Sequence, residues 1–166
     1  MLAPGSSLGG TRPKASVRDR DGHLAVAKFP HKGDEIHAVR WEAVALSLAA
    51  KAGISVPVWR IEDVAGKLVL LLRRFDRAGT VPTAIDLEDG TASLERAIEV
   101  AGYFELEVKS AAQIAAEVGQ AVATWRTEAA RLGLTTAEID RMASAFEHDD
   151  LRASLKPRPA ARKTSR

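Results

Sequence analysis

Residues Leu68-Val69-Leu70-Leu71-Leu72 are apolar at every position and follow the turn pair Ala65-Gly66. A run with no polar side chain to turn toward water predicts a strand buried on both faces. The chain must therefore supply a sheet around this strand and further elements to cover it.

The first 79 residues contain both. Residues 14–18 alternate in polarity, Asp19-Arg20-Asp21-Gly22 reads as a turn, and 23–29 resume as a strand. Leu24 and Val26 share one face of that strand and Ala25 and Ala27 the other, which makes a hairpin. Asp34 offers an N-cap for a helix over 36–52. Its stripe is Val39, Trp41, Val44, Ala45 and Leu48, and Gly53 closes it. A strand over 58–64 pairs with 68–72 as a second hairpin.

Beyond Gly79 the period changes to that of helices, after an irregular stretch at 81–90. A helix over 91–103 carries Leu94, Ala97, Ile98 and Ala101, with Thr91 as its cap. A long helix over 110–132 carries Ile114, Val118, Ala121, Val122 and Trp125, closed by Gly133. A third, capped by Thr135 or Thr136, contains Ile139, Met142 and Phe146. The expected fold class is α+β, a twisted antiparallel sheet with one helix followed by a bundle of about three helices. The expected units are 1–79, 80–151 and a basic tail over 152–166.

Composition narrows the setting. The chain has 166 residues, 46% hydrophobic and 28% charged, which suits a soluble domain with a real core. No stretch approaches the roughly 20 apolar residues of a membrane span. Residues 1–13 are glycine- and serine-rich without an apolar segment, so no signal peptide is expected. There is no cysteine, so disulfides and thiolate metal sites are excluded. These features together lead to the expectation of a cytoplasmic protein. The net charge of +2 owes much to 156–166, which has five cations and no acid. That segment reads as a solvated end, and no direct nucleic-acid binding is expected.

Three features carry chemistry. Gly5-Ser6-Ser7-Leu8-Gly9-Gly10-Thr11-Arg12-Pro13-Lys14 stands directly before the first strand. Glycines without Cβ let backbone N–H groups surround phosphate oxygens, although taken alone the segment reads better as a loose chain start. Lys28 ends the second strand of the hairpin, where an ammonium can meet phosphates; by itself it is also what a solvated sheet edge shows. Glu42 lies mid-helix among Trp41, Val44 and Ala45, and an acid there calls for a cation, for which Lys28 is the natural candidate. The order of glycine loop, hairpin lysine, helix glutamate and two more strands is that of a kinase small lobe.

Four stretches then resemble the HipA-type serine/threonine kinases, the toxins of bacterial toxin–antitoxin pairs and their relatives. They are Ser6 to Ala15, Ala27-Lys28-Phe29-Pro30, Ala52-Gly53-Ile54-Ser55-Val56-Pro57 and Arg74-Phe75-Asp76-Arg77. Residues 139–150 resemble the family's C-terminal helix, and the likeness covers about 3–151. It implies that Gly9, Gly10 and Lys14 form the phosphate loop and that Lys28 is the ATP-phosphate lysine, with Glu42 as its partner. It places Arg73 and Phe75 in the hinge region at 72–75 that meets adenine. Ser7 takes the position that autophosphorylates in the family's prototype. ATP and Mg²⁺ are the family's cofactors, and an antitoxin-like helix-turn-helix protein or a full-length relative is the implied partner.

The chain also departs from the family pattern. Only 78–82 separate Arg77 from Thr83. Family members carry large-lobe helices there, with a catalytic loop of Asp and Asn and a metal-binding aspartate. Asp86, in Thr83-Ala84-Ile85-Asp86, matches a segment that normally follows that aspartate. The subdomain that usually precedes the glycine loop is expected to be missing as well. Asp76, Asp86 and Asp89 remain, with no pattern that compels a metal site. Phosphoryl transfer rests on a positioned nucleophile and bridging Mg²⁺, and each ~1.4 kcal/mol of lost stabilisation is tenfold in rate. The expectation is a truncated, inactive homologue with at most weak ATP binding. An active serine kinase and a non-enzymatic partner-binding module are the alternatives.

Overall fold

The computed structural model describes residues 12–74 and 93–156. The first hairpin is β1 (Lys14–Arg18) and β2 (Leu24–Lys28), antiparallel with Lys14 opposite Lys28. Its turn is held by the Asp19 carboxylate, which accepts the N–H of Asp21 at 3.0 Å and of His23 at 2.8 Å. The second hairpin is β3 (Trp59–Val64) and β4 (Lys67–Arg73). Ala65 and Gly66 both take positive φ, 54° and 77°, the geometry of a two-residue turn whose twist matches the strands.

The sheet order is β1-β2-β4-β3, antiparallel throughout. β4 is therefore internal, and Val69 and Leu70 on its opposite faces are 3% and 0% exposed. The all-apolar run is buried on both faces at its centre, as its composition requires.

Helix α1 (Ala38–Lys51) lies across the sheet face that carries Lys28, Leu70 and Leu72. Val39 and Ala43 pack with Leu70, Trp59 and Ile61, while Trp41, Val44 and Leu48 turn the other way toward the C-terminal helices. The helix is thus apolar on two sides because it is the middle layer. It starts two residues later than the predicted 36, and Asp34 is not its cap. The N-cap position is His37, without a side-chain capping bond, because the Asp34 carboxylate is engaged by Arg12 and by the His31 N–H. Gly53, at φ 78°, ends the helix: its N–H is donated to Ala50 and that of Ile54 to Ala49, satisfying the last carbonyls.

The helical half follows the predicted stripes but is more finely divided. α2 (Leu94–Glu99) is capped by Ser93, whose hydroxyl accepts the Arg96 N–H. Thr91, the predicted cap, lies outside the described residues. A 3-10 helix (Val100–Phe104) continues from α2. The single helix predicted over 110–132 is two, α3 (Val108–Ala123) and α4 (Trp125–Arg131). They part at Thr124, whose hydroxyl donates back to the Ala121 carbonyl at 2.8 Å, a bond that bends helices. The break lets α4 bury Trp125 and Ala129 against α1 while α3 faces α2 and α7. Thr135 caps α5 (Thr136–Arg141) in a full capping box with Glu138. Two short helices follow, α6 (Ala143–Phe146) and α7 (Asp149–Ser154). The architecture is α+β, a four-stranded antiparallel sheet with one helix and several C-terminal helices.

Trp41, Trp125 and Phe146 anchor the second core, with Trp125 and Phe146 stacked at 4.5 Å between centroids. Against the rim of this core Glu128 is 4% exposed and bonded by Lys51 at 2.6 Å and Arg131 at 2.9 Å. The guanidinium of Arg131, then the ammonium of Lys51, hold its carboxyl down from 4.5 to about 2.

Candidate functional site

Strand pairing assembles this site. Residues opposite one another in an antiparallel ladder share a face, so Lys14 and Lys28 both point to the side that α1 covers. α1 brings Glu42 over the end of β2, one turn beyond the buried Val39. The Lys28 ammonium donates to the Glu42 carboxylate, forming an ion pair about one-third exposed on each side. Exposed pairs of this kind add little stability, so the arrangement matters more for where it holds the lysine.

The pair opens into a cavity of about 280 Å³ lined by Arg12, Lys14, Lys28, Phe29, Val39 and Glu42. Three cations face one carboxylate there, and Glu42 is already engaged by Lys28. Such a site suits an anionic group of phosphate size and charge. It offers Mg²⁺ no free carboxylate among the described residues.

Arg73 is placed elsewhere. It pairs with Ala25 in the ladder, so its side chain leaves the sheet on the face opposite Lys28, and its N–H is donated to the Val58 carbonyl at 2.8 Å. Ser7, Gly9, Gly10 and Phe75 lie outside the described residues, as do Asp76, Asp86 and Asp89.

Sequence reasoning stopped at Lys14 and missed Arg12, which the structure adds to the cavity wall. Arg12 donates to both oxygens of Asp34 at 2.7 and 2.8 Å. The His31 N–H, followed by Arg12, holds the Asp34 carboxyl below its usual range. No signal in the sequence links positions 12 and 34; the contact depends on where β1 begins relative to the loop after β2.

Among the described residues, the one group of three His, Asp or Glu side chains close enough to share a cation is Asp19, Asp21 and His23. It sits in the β1–β2 turn, at the opposite end of the hairpin from Lys28, roughly 17 Å along the strand at ~3.4 Å per residue. Burial of Asp19 opposes its ionisation, but the N–H bonds from His23 and Asp21 outweigh this and keep its carboxyl below the ordinary value. Those bonds make Asp19 a turn-forming residue.

Among the described residues no helix is long and apolar enough to cross a membrane. No curated protein matches the chain, and no solved structure does. The model of the HipA-like C-terminal domain matches residues 6–144, most of the chain, and its span takes in the sheet, the Lys28–Glu42 pair and the helices through α5. With that match the chain belongs to the HipA-like family.

Proposed function

We propose that this HipA-like protein grips the phosphates of ATP weakly and does not transfer them, as a truncated, inactive relative of the family's serine/threonine kinases. The observation that carries the reading is the Lys28–Glu42 ion pair at the mouth of a cation-lined cavity. A lysine held by a helix glutamate at the end of an inner strand is the phosphate-positioning half of phosphoryl transfer. Lys14 adds a second cation from the neighbouring strand, and the glycine-rich segment leads directly into it.

The other half of the chemistry needs a group that accepts the hydroxyl proton and carboxylates that hold Mg²⁺ against the phosphates. Only 78–82 stand where the family carries that segment. The acids at the cavity and in the β1–β2 turn have other partners, since Glu42 neutralises Lys28 and Asp19 ties its turn. Binding without transfer follows. Titration calorimetry with ATP tests it: weak binding, no tighter than roughly 0.1 mM, is expected, with little gain on adding Mg²⁺. Tight, magnesium-dependent binding would overturn the reading.

A groove favours a second reading, a partner-binding module. Leu94, Ile98, Phe104, Ile114, Val118 and Leu151 line an apolar cavity of about 420 Å³ between α2, α3 and α7. Tyr103 and Phe104, beside it, are 85% and 63% exposed. Apolar surface of this extent marks association. The partner in this reading is an antitoxin-like helix-turn-helix protein or a full-length relative, in a cytoplasmic toxin–antitoxin setting. A gene for such a small protein beside this one, and its co-purification with the chain, would support it. Failure of the two to associate when co-expressed would remove it.

A further inference from the structure

Arg12 lines the same cavity as Lys14 and Lys28, yet its guanidinium is spent on a carboxylate outside that wall. A single nitrogen of Arg12, Nη1, donates to both oxygens of Asp34, at 2.7 and 2.8 Å, and Asp34 also accepts the His31 N–H at 2.9 Å. Arg12 is half exposed while Asp34 is 13% exposed, so the acid is the fixed partner and the arginine the movable one.

We propose that Arg12 is a further phosphate-contacting residue of this cavity and that Asp34 competes with the incoming phosphate for it. The assignment rests on the reading that the cavity grips phosphates. A phosphate can take the place of the carboxylate on Nη1, and the guanidinium's remaining N–H groups give it further donors for the other phosphate oxygens. An exposed arginine–carboxylate pair is weak, whereas a di- or triphosphate brings several charges into a cavity that already holds two lysines. The phosphate therefore has the stronger claim on Arg12. Asp34 sets the affinity by how firmly it holds the arginine back. The ligand class is a polyphosphate, free or as the tail of a nucleotide, and the contact with Arg12 needs no base.

The signs of two substitutions separate this role from a structural one. Asp34→Asn keeps an oxygen for the His31 N–H but removes the competing charge. Arg12→Ala removes the phosphate contact. Calorimetry with sodium tripolyphosphate at low salt, on the full chain and both variants, should show the Kd rising at least fivefold in Arg12→Ala. It should fall about threefold or more in Asp34→Asn. Arg20→Ala, in the distant hairpin turn, controls for general charge and should stay within twofold. If the Arg12–Asp34 pair only anchored the chain entering β1, both variants would weaken binding alike. That result, or equal losses in Arg12→Ala and Arg20→Ala, overturns the assignment alone. A wild-type chain that binds no tripolyphosphate overturns the phosphate reading and this assignment with it. Far-ultraviolet circular dichroism confirms that each variant folds. ATP in place of tripolyphosphate distinguishes the sources: the same ratios with both ligands support a contact that ignores the base, and ratios confined to ATP refute it.

Discussion

Replacing Glu128 by Gln should destabilise the protein, and the loss should depend on pH in a defined direction. Glu128 joins α4 to the end of α1: Lys51 bonds it from one side at 2.6 Å and Arg131 from the other at 2.9 Å. Its carboxyl falls from 4.5 to about 2, chiefly through Arg131 and then Lys51. At ~1.4 kcal/mol per tenfold, that lowering is worth at most about 3.5 kcal/mol. Lys51 and Arg131 are 43% and 58% exposed, so water screens their side of the interaction. A loss of about 2 kcal/mol is expected at pH 7. Gln keeps the shape and leaves both cations able to reach water, so no stranded charge adds to it. The group's folded value lies below its unfolded one. Its contribution is therefore complete above about pH 4.5 and disappears as the pH falls toward 2. Urea unfolding of wild type and Glu128→Gln at pH 7, 5 and 3 tests this. The difference should hold between pH 7 and 5 and shrink to less than half by pH 3. A loss at pH 7 below ~0.5 kcal/mol, or one that does not change by pH 3, would refute the argument.

Gly119→Ala should cost about 1–3 kcal/mol, because its Cβ would lie 2.9 Å from the Ser154 Cβ and 2.0 Å from its hydroxyl oxygen. Adding Ser154→Gly should restore part of that loss in urea melts; no recovery would show that α7 does not meet α3 there. Lys28→Ala should change stability by less than about 1 kcal/mol, since its pair with Glu42 is partly exposed, while removing ATP binding in calorimetry. Labelled ATP with Mg²⁺ should leave no label on Ser7 of the purified chain; label that Lys28→Ala abolishes would establish a working kinase. Light scattering should show self-association through the groove between α2, α3 and α7, and Ile114→Glu, at a half-exposed wall position, should reduce it. A wild-type chain that is monomeric at all concentrations would contradict that expectation.

Local pattern was enough to read both hairpins, the central buried strand and the capping glycine at Gly53. Each follows from side-chain period or from a backbone conformation that few residues adopt. The order of Lys28 and Glu42 was also legible, because strand end and helix shoulder are local properties. The stripes at Leu94–Ile98 and Ile114–Val122 likewise mark the groove that the structure leaves open. Tertiary structure decided the rest. Thr124 splits a helix of unbroken apolar period because two different surfaces, α1 on one side and α2 with α7 on the other, must be covered at once. Asp34 reads as a cap, yet Arg12, 22 residues away, draws it off. Glu128 looks like any helix-surface acid until α1 delivers Lys51 beside it. Arg73 belongs to the predicted hinge at 72–75 but leaves the sheet on the face opposite Lys28, since one residue along a strand reverses direction. Charges and strand faces acquire partners only when distant segments meet, and a side chain's period along its own element says nothing about which segment that will be.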